Sequence, residues 1–374
     1  MMKKLVIVGT VVLFICAGIP SFALSPGKIP GSAARGDILY VGGSGPGNYS
    51  TIQDAINAST DGDTVYVYAG VYHESINISK AITLQGESPT TTLIEAVDGD
   101  LILISGHDVE ISGFTLQPNA TEGNWSRLIY THYPYSPMYN LTITGNVFNA
   151  NESDAINLLF PTNCLIKNNI FAIARGLGIY IYWGINCTAT GNIFTCKTSA
   201  NGIVFSESSH INITDNLIQN YYLGIWLDSC THNIISNNTI LKTTNSIGVR
   251  SCAETEISDN LVDIQVAHGY GIILDYNTFD TTVTLNHIRN CTIGLYLENT
   301  DFTNITKNTF ERNTVHARFF NDNGASLWDQ NYWGRPRILP KPILGIKDNQ
   351  RPYPGFLEFD RHPAQKPYDI APTK

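Results

Sequence analysis

The chain has few charges and no excess of positive ones. Asp, Glu, Lys and Arg make up 15% of its 374 residues, and the formal charge is −9. A protein that wraps a nucleic acid must neutralise phosphates with Lys and Arg, so that class of partner is excluded. The same balance speaks against a polybasic lipid-binding surface. Beyond the N-terminus no stretch is long and apolar enough to cross a membrane. Helical periodicity is missing too: the short apolar runs alternate with polar residues at a spacing of two. What the chain does hold is Asn, Thr, Ile and Gly, with ample Ile, Val and Leu. That is the composition of a folded β-protein rather than of a disordered segment.

The N-terminus reads as a targeting segment. Met1-Met2-Lys3-Lys4 is basic, Leu5 to Gly18 is apolar, and Ser21-Phe22-Ala23 places small residues at cleavage-site spacing. The pattern predicts a secretory signal peptide over 1–23, then a linker over 24–36. The apolar run is shorter than the ~20 residues of a spanning helix, and Leu13-Phe14-Ile15-Cys16 is a poor lipidation box. A secreted, periplasmic or cell-surface protein is expected, not an integral membrane protein once the signal is removed. Twelve Asn-x-Ser/Thr sequons between Asn48 and Asn304 make it a candidate glycoprotein.

One phrase recurs. TATGNIF at 188–194 returns in altered form with its asparagine at Asn146, Asn169, Asn192, Asn216, Asn238, Asn260, Asn286 and Asn308, in steps of 22 to 26 residues. A second phrase, Gly-apolar-x-apolar, keeps its own register at Gly178, Gly202, Gly224, Gly248, Gly271 and Gly294. Each unit holds three short alternating segments and has no room for a helix. Such a unit cannot bury its apolar face alone, whereas stacked units can, so the period predicts a parallel β-solenoid with coils ~4.8 Å apart. Every position then becomes a column. The asparagine column fits a tight bend between strands, where the side chain bonds turn backbone and the next coil's asparagine. Ser50-Thr51-Ile52-Gln53 reads as a capping box opening a short helix to about Ala58, a lid for the exposed first coil. Residues 331–374 hold eight of the 17 prolines and no repeat, so they read as a C-terminal cap and extended tail.

The stretch STIQDAINASTDGDTVYVYAGVYHESINISKAITLQGE (50–87) resembles the opening segment of right-handed parallel β-helix proteins of the pectin-lyase-like superfamily. The Gly-Ile-x-Leu and Gly-Asn-x-Phe units are similar to repeats of the NosD-like family of periplasmic copper-protein maturation factors. NYWG (331–334) and HPAQKPYDI (362–370) are similar to tails of exported β-helix proteins. The resemblance implies an all-β, right-handed, single-stranded parallel β-helix of about ten coils over 37–330. Its implication for activity is broad, because the fold hosts lyases, hydrolases, esterases, adhesins and maturation factors. Asn299-Thr300-Asp301 matches the first polygalacturonase element, but the later elements do not follow. No dense cluster of acidic calcium ligands is visible either. No catalytic residue is assigned and the reading leans against an enzyme; if it is one, a polysaccharide lyase or glycoside hydrolase is the class.

Columns supply the candidate sites. Six positions before the ladder asparagine stand Asn140, Asn163, Asn186, His210, His232, Glu254, Asp280 and Phe302. His210, His232, Glu254 and Asp280 are candidate ligands of a divalent metal, copper or zinc if the NosD resemblance is followed; a solvated polar turn column is the plainer alternative. Cys164 with Cys187, and Cys230 with Cys252, share columns on adjacent coils, which suits either disulfides or stacked buried thiols. Cys196 and Cys291 have no evident partner in sequence. On the face that begins at each Gly-Ile, the outward residues include Tyr180, Tyr182, Trp226, Asp228, Arg250, Asp275, Tyr296 and Glu298. Aromatic faces beside polar groups suit sugar rings, so a polysaccharide or cell-surface glycan is the expected partner. An insertion, Thr131–Met138, carries His132, Tyr133 and Tyr135 and is placed to wall one end of this strip.

Overall fold

Short alternating runs closed by tight bends leave each strand's backbone groups to be satisfied by the coil above and the coil below. In the computed structural model of the chain, which describes residues 36–97, 99–118, 126–131, 137–320, 326–346 and 357–369, that is the arrangement. One sheet is a stack of thirteen successive parallel strands running from Ile38–Val41 to Leu327–Asp329. There are thus thirteen coils rather than the expected ten. The early coils escaped the count because their lengths wander. Paired residues Thr64, Thr83, Glu110 and Thr142 are separated by 19, 27 and 32 positions before the step settles at 23 with Leu165. Each regular coil adds two segments to a second sheet, in which Ile193 pairs with Leu217 and Ile203 with Ile225. The predicted signal peptide and most of the linker, and the aromatic part of the insertion (132–136), lie outside the described residues.

Because side chains alternate across a strand, every second residue of a coil points inward and stacks on its equivalent. Ile111, Ile143, Ile166, Ala189, Ile213, Ile235, Ile257, Val283, Ile305 and Trp328 form one such buried column. Phe148, Phe171 and Phe194 form another, their rings parallel within 3° and 4.7 and 4.4 Å apart. Burial of each large aliphatic or aromatic side chain contributes ~1.5–3 kcal/mol. The six cysteines from Cys164 to Cys291 are free thiols buried in this core. In the Cys230/Cys252 column the Cys230 amide donates to Cys252 Sγ at 3.2 Å.

The asparagine column is a continuous hydrogen-bonded ladder. The Asn169 amide and its Nδ2 both donate to Asn192 Oδ1, at 3.0 and 3.2 Å, and Nδ2 also donates to the Ile143 carbonyl at 2.9 Å. The pattern repeats from Asn146 through Asn308 and runs on to Asn331. The residue before each rung occupies the left-handed region, where Gly145, Asn168, Gly191 and Asp215 are at ease and Leu285 and Lys307 are held by their neighbours. At its last rung the ladder meets Asp360, fully buried, whose Oδ2 accepts from the Asn331 amide (2.9 Å), Asn331 Nδ2 (3.2 Å) and Trp333 Nε1 (2.9 Å). Every rung points its Nδ2 toward this end, so a carboxylate, which only accepts, is the natural terminus.

The helix spans Ile52–Ala58 and buries Ile52, Ala55 and Ile56. Its cap is Thr51, one residue later than the expected box, with Thr51 Oγ1 accepting from the Asp54 amide at 3.1 Å. Glu74 accepts from the Ile52 and Gln53 amides at 2.8 and 2.9 Å, which satisfies the helix's orphan donors. A strand, Ile38–Val41, precedes the helix, so the helix follows the first rung of the sheet rather than coming before it.

Candidate binding strip on the second sheet

The register of the second sheet fixes which outward residues are neighbours. Tyr130, Asn157, Tyr180, Val204, Trp226, Gly248, Ile273, Tyr296 and Arg318 form one column. Tyr182, Ser206, Asp228, Arg250 and Asp275 form the next, and Glu298 stands one position beyond the paired Leu274 and Leu297. The structure therefore brings the eight candidate residues together on one face, all of them half-buried. Tyr180 to Tyr296 spans five coil steps, or ~24 Å.

Trp226 owes its pose to the next coil. A Cβ on Gly248 would sit 2.1 Å from the indole ring, so the ring lies directly on this glycine. The half-buried ring is thus held in place by its own scaffold. Farther along, Tyr180 and Tyr182 stack at 6.4 Å. Two further aromatics, missed in the sequence, extend this platform. Trp183 lies 3.9 Å from Tyr182 and stacks on Phe160 at 4.5 Å. Both occupy the left-handed corner that follows the outward strand residue (φ 55° and 56°), and Tyr276 takes the same corner four coils on. Bulky aromatics at positive φ are uncommon, but nothing in the sequence marks a corner's φ.

The polar centre of the strip is unevenly charged. Among the described residues no carboxylate pairs with Arg250; its guanidinium lies over the Tyr276 ring at 4.0 Å. Burial pushes the Asp275 carboxyl up to about 6, and the carboxylates of Glu298 and Asp228 add to the rise against the pull of Arg250. Asp275 Oδ1 is buried and has no hydrogen-bond partner. Tyr296 donates from its hydroxyl to Glu298 at 3.1 Å, and burial together with that carboxylate carries its phenol up to about 12. Nearer the N-terminus, Asp100, Arg127 and Asp154 repeat the acid–arginine–acid order on three coils. Arg127 bonds Asp100 and covers Tyr130 at 4.1 Å. Asp154 is raised chiefly by burial and accepts from the Leu177 amide at 3.0 Å.

The candidate metal column lies on a corner of the other sheet, and its members are all left-handed, from Asn140 to Phe302. Asn163 and Asn186 link side chain to side chain. The rings of His210 and His232 stack face to face, 4.8 Å apart and within 3° of parallel, and His232 Nε2 meets Glu254 at 2.5 Å. Stacked rings direct their nitrogens along parallel lines rather than to a shared centre. Among the described residues no group of three or more His, Cys, Asp or Glu could hold a metal ion. The column as it stands does not fit a closed copper or zinc site, and no chemistry is derived through one.

The fold is that of a parallel β-helix protein. Residues 173–345 match the NosD family, described as periplasmic copper-binding protein, and the chain is NosD-like over that span. The fold is shared with the A-module of mannuronan C-5 epimerase AlgE6 from Azotobacter vinelandii (16% identity, 80% of this chain and 95% of that one, TM-score 0.53). It is also shared with DFA-IIIase from Arthrobacter chlorophenolicus A6 without its lid (13% identity, 86% and 100%, TM-score 0.61). At such identities the likeness is one of fold alone. Among curated proteins, a cell surface glycoprotein of Methanothermus fervidus is 27% identical over 250 residues, covering 57% of this chain and 42% of that one. SHC SH2 domain-binding protein 1 of Mus musculus is 30% identical over 226 residues, 57% of this chain and 30% of that protein. The chain thus spans less than half the length of either relative.

Proposed function

We propose that this is an exported, cell-surface or periplasmic β-helix protein that binds a polysaccharide or cell-surface glycan along the Tyr180–Tyr296 strip without turning it over. The carrying observation is Trp226 seated against Gly248, in line with Tyr180 and Tyr296. A row ~24 Å long with hydroxyl-bonding carboxylates beside it suits several sugar rings rather than one small molecule. The cell surface glycoprotein among the relatives and the mannuronan epimerase among the structural neighbours support this reading. Trp226→Ala should weaken oligosaccharide binding by at least ~1 kcal/mol, the loss of one aromatic anchor, with thermal unfolding unchanged. A glycan array identifies the ligand; no binding to any glycan, or unfolding of the variant, sinks the proposal.

Asp275 favours a second reading. A carboxyl that titrates near neutrality, with a buried oxygen left unbonded, is suited to proton transfer in a polysaccharide lyase or glycoside hydrolase. New reducing ends or unsaturated products from a bound glycan, lost in Asp275→Asn, would establish that reading in place of simple binding.

A further inference from the structure

The C-terminal cap ends in the one antiparallel pair among the described residues, Lys341–Ile346 with Leu357–Asp360. Pro342 faces Phe359 and Leu344 faces Leu357. Ile343 and Asp360 turn into the protein, so alternation sends Pro342, Leu344, Leu357 and Phe359 outward, where all four are exposed. The loop just before the hairpin adds Ile338 and Leu339, 97% and 75% exposed. An apolar face of this extent on a protein surface marks an interaction site.

Arg335 and Arg337 flank the tip, while Lys341, opposite Asp360 in the hairpin register, turns inward with its ammonium 5.9 Å over the Trp333 ring; among the described residues no carboxylate forms an ion pair with any of the three. Burial, and then the charges of Arg337 and Arg335, hold the Lys341 ammonium below its ordinary range. Arg337 Nε is buried without a hydrogen-bond partner. The cap's own acids are engaged inward, Glu358 on Trp328 and Asp360 on the ladder. Over described residues 335–346 and 357–369 there are five cations (Arg335, Arg337, Lys341, Arg361, Lys366) and three acids (Glu358, Asp360, Asp369), a local +2 on a chain of −9. The whole-chain charge argued against a basic lipid-binding surface, but charge summed over the chain conceals this segregation.

We infer that the C-terminal cap docks on an anionic lipid surface, with Ile338 and Leu339 entering the acyl boundary and Arg335 and Arg337 on headgroup phosphates. Apolar insertion and headgroup attraction reinforce each other in this geometry. A second copy is a poorer occupant, because an isologous contact would set these cations against themselves.

The test uses the full chain carrying Leu339→Trp, whose emission after subtraction of the parent with its five native tryptophans reports on the tip. With vesicles of phosphatidylcholine plus phosphatidylglycerol, emission should shift to the blue and be quenched by brominated lipids. Phosphatidylcholine alone should give neither effect. Adding Arg335→Gln and Arg337→Gln should weaken the response about tenfold or more, and high salt should weaken it in the Leu339→Trp chain. The inference is overturned if the tip emission does not respond to anionic vesicles, or responds equally to neutral ones. It is also overturned if sedimentation shows a dimer that Leu344→Ser with Leu357→Ser disperses.

Discussion

Asp360→Ala removes one side chain near the end of the sequence and should loosen coils more than a hundred residues upstream. Asp360 is fully buried and accepts four hydrogen bonds: Asn331 amide, Asn331 Nδ2, Trp333 Nε1 and, at 3.2 Å, the His362 amide. Asn331 and Trp333 are themselves buried, and Asn331 Nδ2 keeps the Ile305 and Asp329 carbonyls, so alanine leaves two buried donors, the Asn331 amide and Trp333 Nε1, without an acceptor. At ~1 kcal/mol or more for each donor stranded, the loss is at least ~2 kcal/mol. Asp360→Asn separates charge from space. It keeps one acceptor oxygen but turns an amide NH2 toward groups that only donate, so it should cost less than alanine and more than nothing. A solenoid frays from its ends, so the readout must be local. Hydrogen exchange should show protection lost first at Asn331 and Asn308 and last at Asn216, with urea unfolding followed through Trp328 and Trp333 fluorescence. The exposed Asp369→Ala serves as the control. If Asp360→Ala unfolds within ~0.5 kcal/mol of the parent, or protection falls evenly along the ladder, the carboxylate is not the ladder's terminus in any energetic sense.

Other outcomes follow from the same geometry. Gly248→Ala puts a methyl where the Trp226 ring lies, so the indole must lift; its emission should shift to the red and glycan affinity should fall. Asp275 titrates at about 6 when folded, above an ordinary carboxyl, so its contribution to stability is present at low pH and lost as pH rises through about 6. His316 runs the other way: burial holds it at about 4, below an ordinary imidazole, so stability is lost as pH falls from about 6.5 toward 4. Since the two oppose each other in one window, Asp275→Asn should steepen the loss of stability on acidification and His316→Gln should flatten it. Chemical denaturation at stepped pH checks both, and identical profiles for the two variants would refute the assignments.

The repeat made the architecture legible from the sequence. A tight bend that recurs on every coil demands the same side chain each time, and strand alternation sorts inward Ile and Phe from outward Tyr, Trp and Asp without any knowledge of neighbours. That is why Tyr180, Trp226 and Tyr296 could be set in one column from spacing alone. Tertiary structure decided what periodicity cannot carry. Coils with steps of 19, 27 and 32 residues are invisible to a 23-residue period, yet backbone pairing makes them full members of the stack. How closely an outward ring can settle on its sheet depends on the coil beside it, as with Trp226 on Gly248. Trp183, Phe160 and Tyr276 join the strip only because their corners turn through left-handed backbone. The ladder's last acceptor, Asp360, and the cap's cations come from a segment with no repeat at all. Their positions follow from how the final coil is covered, a long-range contact that no local pattern of residues records.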